Sequence, residues 1–243
     1  MKKKLLALVL AAAMTLSLAS CGGSKTETPS TGSDNSSAEG ATYKVGICQL
    51  VQHPALDAAT QGFIDALNEA LPGQVEFENK NASGEANNCG TIVNGFVSEG
   101  VDLIMANATD ALVAARTATN TIPIVGTSVT SYGVALGLKD ETATKTGINV
   151  TGTADLAPLD KQAAMVKEWV PDAMKVGILY CSAEKNSKYQ ATVVGAKLKE
   201  MGLEVKEYTA ADSNEIASVT KLACQNSDVL YLSLIHISEP TRH

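Results

Sequence analysis

Residues 44–47 read Lys-Val-Gly-Ile, and residues 175–178 read Lys-Val-Gly-Ile again. The segments downstream of the two copies decide the fold. After the first, apolar runs of strand length alternate with segments of helical period, the pattern of a parallel α/β sheet. Residues 43–49 predict a strand. Pro54 opens a helix whose apolar face is Leu56, Ala59, Phe63, Leu67 and Ala70, at spacings of three and four, and Pro72-Gly73 stops it. A strand over 75–79 and a helix over 85–99 come next, the helix turning Ala86, Cys89, Ile92, Val93 and Phe96 inward and ending at Gly100. A strand over 101–106, a short helix over 110–119 and a strand over 122–126 complete the first series.

The second copy restarts the same order. It predicts a helix over 184–201 stopped by Gly202, a strand over 203–208, a helix over 213–224 and a strand over 228–232. VDLIMA (101–106) in the first series faces SDVLYL (227–232) in the second. A four-residue match is weak by itself, but matched element order over about 60 residues points to two similar lobes. The alternative is one continuous doubly wound sheet with a chance repeat. The lobes are expected at 43–130 and 154–232, with 131–153 as hinge and crossover.

The amino terminus has another character. Lys2, Lys3 and Lys4 form a basic segment, residues 5–16 are apolar, and Leu18-Ala19-Ser20-Cys21 stands where a cleavage site is expected. This resembles a bacterial lipoprotein signal over 1–20. It implies lipidation of Cys21 and anchoring on the extracytoplasmic face of the cell membrane; several acyl chains hold where one is marginal. The alternative is an ordinary secretory leader with an incidental cysteine. Residues 21–42 carry no large apolar side chain and read as a tether.

With 243 residues, 45% apolar content and a formal charge of −7, the chain suits a folded core and disfavours nucleic acid as a partner. The five cysteines have no metal-site spacing. Cys48, Cys89, Cys181 and Cys224 read as buried free thiols, and Trp169 as packing within the second lobe. There is no Walker A loop, G-x-S-x-G elbow, H-E-x-x-H or strand-end G-x-G-x-x-G, and His53 is the one histidine before residue 236. Neither an enzyme nor a resident cofactor or metal is expected.

Two α/β lobes on a lipid tether resemble the solute-binding lipoprotein of an ABC-type importer, with a type I periplasmic-binding-protein fold. QLVQHPALDAATQGFIDAL (49–67), IPIVGTSVT (122–130), GINVTGTADL (147–156) and VGILYCSAEKNS (176–187) are similar to the substrate-binding family that includes the binding proteins of tryptophan and phenylalanine importers. The resemblance covers residues 43–232. It implies a small solute, with an aromatic or other amino acid as the leading guess, and ABC permease and ATPase subunits as partners. A lipoprotein hydrolase using Asp110 or Glu184, and a receptor signalling to a membrane kinase, are the rivals from other classes.

Ligands of open α/β sheets lie beyond the carboxyl ends of the strands, where helix N-termini favour an anion. Those ends nominate Gln49, His53, Thr109, Ser128, Thr130, Tyr180, Ser182, Glu184 and Ser187, to which Asp155 is added. Hydroxyls there suit a carboxylate, while Asp155, Asp110 or Glu184 suits an ammonium. Tyr132, Tyr180 or Tyr189 is a candidate to stack on a ring. Each has a plainer role as helix cap or first-turn charge.

The last residues break composition. Residues 233–243 hold two of three histidines and one of two arginines. SLIHISEPTRH resembles translated sequencing-adapter DNA, so the second lobe is expected to be C-terminally truncated and the tail non-native. The family resemblance would place roughly proline, a polar residue, aspartate and asparagine after Leu232, where Ser233 and its successors stand. His236 and His243 are accordingly no site candidates.

Overall fold

A computed structural model describes residues 42–142, 145–211 and 214–233. The expected leader, Cys21, the expected tether up to residue 41, and residues 234–243 lie outside the described residues. Among those described, no helix is long and apolar enough to cross a membrane.

The order is β1 (Tyr43–Gln49), α1 (Pro54–Ala70), β2 (Val75–Asn81), α2 (Ala86–Glu99), β3 (Leu103–Asn107), α3 (Thr109–Ala118), β4 (Ile124–Val129), α4 (Tyr132–Leu136) and β5 (Val150–Ala154). Then come α5 (Leu159–Trp169), β6 (Lys175–Cys181), α6 (Lys185–Glu200), β7 (Glu204–Ala210), α7 (Ile216–Asn226) and β8 (Val229–Leu232). All strand pairs are parallel, in two sheets ordered β2-β1-β3-β4-β5 and β7-β6-β8. The fold is a two-lobed, type I periplasmic-binding-protein-like α/β architecture, with three strands in the second sheet among the described residues.

The repeat is structural as well as textual. Val45 stands opposite Leu103, and Val176 opposite Val229. Each repeated glycine is required by a close approach. A Cβ on Gly46 would lie 2.6 Å from the Phe96 ring, and one on Gly177 would lie 2.6 Å from Ser227 Oγ. Alternate residues of β1 face opposite layers, as the pleat demands. Val45 and Ile47 pack with Phe63, Ile64 and Leu67 of α1, while Cys48 joins Cys89, Val93 and Phe96 of α2 and Leu112 of α3. In the second lobe Val176 and Ile178 meet α5 and α6, and Leu179 meets Ala223 of α7.

Several expectations shift. Ala70 is exposed, and the buried side of α1 includes Thr60 instead. The third strand starts two residues later than expected: at Asp102 the carboxylate, in place of a backbone carbonyl, accepts from Lys44 N, while Asp102 N still donates to Lys44 O. Residues 131–153, read as a crossover, hold α4 and β5, and β5 is the edge strand of the first sheet. The chain passes from β5 to α5 through residues 155–158.

Two sequence expectations are corrected outright. Trp169 is 72% exposed, because it is the last residue of α5, at the edge of the stripe formed by Leu159, Ala163 and Val166 and beyond its last buried member. Cys48 and Cys89 are buried, but Cys181 is half-buried and Cys224 exposed, the latter lying beside the buried Ala223 on α7 rather than on its inner stripe.

Candidate functional site

The carboxyl ends of β1, β3 and β4 face the start of α6 and the end of β8 across a cavity of about 420 Å³. The first lobe lines it with Leu50, His53, Leu56, Ala108, Thr109, Ser128 and Thr130. Opposite stand Gln162, Glu184, Asn186, Gln190 and Tyr231, with Asp155 and Ala157 on the connection between sheets. The cavity therefore draws on both lobes.

Six of the ten nominated ligand residues, His53, Thr109, Ser128, Thr130, Asp155 and Glu184, are brought together on this lining. The other four are placed elsewhere. Gln49 is 4% exposed and committed to neighbours: its Nε2 donates to Asp57 Oδ1 at 2.5 Å and to Val51 O at 2.8 Å, and its Oε1 accepts from Thr60 Oγ1 at 2.7 Å. Tyr180 is buried in the second-lobe core, with its hydroxyl donating to Glu207 Oε2 at 2.7 Å. Ser182 is exposed on the turn after β6 and does not line the cavity. Ser187 is buried one layer beneath, with Oγ 2.5 Å from Glu184 Oε2 and 3.2 Å from Ser233 O, so it steadies two lining residues.

Gln49 extends a buried polar chain. Thr60 Oγ1, which donates to Gln49, accepts from Asn107 Nδ2 at 2.9 Å, and Asn107 Nδ2 also donates to Leu56 O at 2.8 Å. Asn107 is fully buried, and the residue after it is Ala108. Ala108 adopts φ 96° and ψ 163°, a conformation natural only to glycine, and Ser128 has φ 55°. Such strain costs of order 1–3 kcal/mol per residue and persists only where the surroundings over-determine it. Here both strained residues lie on one cavity wall. As the N-cap of α3, Ala108 offers no side-chain acceptor, so no side chain caps the first turn of α3 at that wall. By contrast, His53 Nδ1 caps α1 by accepting from Ala55 N at 3.2 Å.

The lining contains Asp155 and Glu184 and neither lysine nor arginine. Asp155 reaches solvent, yet crowding by the cleft walls pushes its carboxyl above the usual range, against a hydrogen bond from Thr130 that acts the other way. Asp110, in the first turn of α3, is raised by burial and by the facing charge of Glu184, with Lys185 opposing. Burial, then the charge of Asp155, pushes the Tyr132 phenol up to about 12. The cleft therefore favours a positively charged group near Asp155 and Glu184, and an anion at the start of α3. Among the described residues no cluster of three or more histidine, cysteine or acidic side chains could hold a metal ion.

Sequence reasoning missed Gln162, Asn186, Gln190 and Tyr231. Asn186 and Gln190 had a signal, two amides four apart on one face of a helix that begins at a strand end. Tyr231 and Gln162 had none, since a contact across 69 residues joins them: Tyr231 Oη donates to Gln162 Oε1 at 2.6 Å. Of the tyrosines considered for stacking, Tyr132, Tyr180 and Tyr189 do not line the cavity, whereas Tyr231 does.

A family model described as ABC transporter substrate binding protein matches residues 44–237, well over half of the chain. The chain belongs to that family. This substrate binding protein is 34% identical over 234 residues to a tyrosine-binding protein of Clostridioides difficile, covering 95% of the chain and 67% of that relative. A Streptococcus pneumoniae ABC domain in complex with L-Trp is similar at 31% identity and a TM-score of 0.73, over 79% of this chain and 65% of that one. A conserved domain protein of Vibrio cholerae is similar at 34% identity and a TM-score of 0.72, over 78% and 64%. The substrate binding protein thus spans about two thirds of the length of these relatives. Every lining residue falls within the family match.

Proposed function

We propose that the protein is the extracytoplasmic, lipid-anchored receptor of an ABC-type importer and that it binds an amino acid, aromatic in the leading reading, between its two lobes. The observation that carries this is the charge layout of one cavity. Two carboxylates and no lining lysine or arginine suit an α-ammonium, while the uncapped start of α3, with Thr109, Ser128 and Thr130 beside it, suits an α-carboxylate. Tyr231 supplies an aromatic face at the opposite wall. The tyrosine and L-Trp named for two relatives point the same way.

Transport follows from placing these groups on both lobes. A ligand touching both stabilises the closed arrangement over the open one, and closure is what a permease and its ATPase can sense. The lobe bounds expected from the sequence, 43–130 and 154–232, move with β5 in the first sheet, and flexing is assigned to residues 155–158 between β5 and α5. Cys21 would carry the lipid, and the tether would leave the lobes free to meet the permease.

Purified protein, titrated calorimetrically with the twenty amino acids, nucleosides and sugars, tests this reading. Saturable binding of one amino acid without turnover is expected. Release of a product would favour the hydrolase reading, with Asp110 or Glu184 as its acid or base, and overturn the receptor.

A further inference from the structure

Cys48 and Cys89 take no part in the cavity, and both are fully buried in the core between the first sheet and α2. Their positions follow from the packing. Gly46 and Cys48 lie on the same face of β1, and the Phe96 ring covers Gly46 closely. Phe96, Val93 and Cys89 are the buried residues of α2, which runs antiparallel to β1 in the parallel βαβ arrangement. Moving two turns from Phe96 toward the start of α2 brings Cys89 to the end of β1, over Cys48. Both side chains are fully buried there in one core cluster, and each shifts the other's titration, Cys89 raising the Cys48 thiol and Cys48 lowering that of Cys89.

We propose that Cys48 and Cys89 form a native disulfide that fastens the start of α2 to the end of β1. Both are free, buried cysteines on a strand and a helix that face each other within one core cluster, the placement a bond of about 2.05 Å requires. The other two described cysteines cannot compete. Cys181 and Cys224 lie in the second lobe, half-buried and exposed, outside this core.

The chemistry has a direction. Cys89 lies in the first turn of α2, whose N-cap Glu85 makes no side-chain hydrogen bond, a setting that favours a thiolate. Cys89 is therefore the attacking sulfur. Its thiolate attacks a small disulfide, or that of a dithiol oxidoreductase, giving a mixed disulfide and one thiolate. That thiolate takes the proton of Cys48, whose sulfur then displaces the second thiol from Cys89. Two cysteine hydrogens and two electrons pass to the oxidant, which leaves as two thiols. Because both sulfurs are closed off in the folded lobe, the exchange takes place as the chain folds, before α2 docks. An oxidising setting rests on the extracytoplasmic location proposed above; the capacity to form the bond does not.

The test is to refold the full chain, with its five cysteines, in a glutathione redox buffer and then denature it and label free thiols. Three labelled thiols are expected, with a Cys48–Cys89 cross-linked peptide in a non-reducing digest and a thermal midpoint that falls on reduction. Cys48→Ala should leave Cys89 labelled under the same conditions. Five labelled thiols, or a cross-link through Cys21, Cys181 or Cys224, would overturn the proposal. A variant that fails to refold leaves the digest of the unmodified chain decisive. A solute-binding failure would not touch this result.

Discussion

Asp102 and Asp228 do the same work in the two lobes: each places Oδ2 2.8 Å from the backbone N–H of the lysine that opens a Lys-Val-Gly-Ile strand. The backbone N–H of each aspartate returns the bond to that lysine's carbonyl, at 2.8 Å for Asp102 to Lys44 and 2.9 Å for Asp228 to Lys175. The aspartate of VDLIM and that of SDVLY thereby lock two strand starts in register. Asp228 accepts a further bond from Met174 N at 3.0 Å.

Asp228→Ala should lower the thermal midpoint, because two backbone donors lose their acceptor. The Met174 and Lys175 N–H groups hold the Asp228 carboxyl below its usual value. A lowered folded-state pKa stabilises above the unfolded value of about 4, and this contribution fades as pH falls through the folded one. Melting curves of the two proteins should converge at low pH. A gap that persists once the carboxyl is protonated in both folded and unfolded states contradicts the assignment.

Thr60→Val should cost about 1–3 kcal/mol in denaturant unfolding, since Gln49 Oε1 loses its donor and Asn107 Nδ2 an acceptor at a buried site. Valine keeps the shape, so lost volume does not explain the loss. A neutral result would mean the chain from Gln49 to Asn107 adds nothing to the lobe.

Asp110→Asn should stabilise the protein at neutral pH. Burial and Glu184 raise this carboxyl, so its charged form is disfavoured in the folded state. The penalty builds as pH rises from about 4 through the raised folded value, and is absent below. The variant's advantage in thermal midpoint should therefore shrink on acidification. An advantage independent of pH would point to packing instead.

Asp155→Asn should weaken amino-acid binding by about tenfold or more, the scale of a lost hydrogen bond to a charged partner. With the parent protein, affinity should fall as pH drops through the raised Asp155 pKa, because protonation removes the charge that attracts an ammonium. Calorimetry across that range reads both effects. Unchanged affinity in the variant would remove Asp155 from the ammonium site.

Much of this architecture was legible in the chain. The apolar strands, the stop at Gly100 and the repeated tetrapeptide are local signals, and each specifies an element with little outside help. The cavity was legible in part, because strand ends name one wall: Thr109, Ser128 and Thr130 follow from counting along β3 and β4. Gln49 sits at such an end too, but counting does not tell a side chain aimed at solvent from one consumed by Thr60 and Asp57. Tyr231 and Gln162 meet through the packing of α5 on the second sheet, a relation set by tertiary structure and invisible to periodicity. Trp169 misled because its size argues for burial while its position on α5 dictates otherwise.

The exposed Trp169 gives the molecule an optical property. It is the only tryptophan in the chain and lies outside the cavity lining, so tryptophan emission from the free protein arises at one wet point on the second lobe. Iodide should quench it readily. An indole-bearing ligand enclosed in the cleft would add a second, shielded emitter, and the unquenched fraction would count occupied molecules directly.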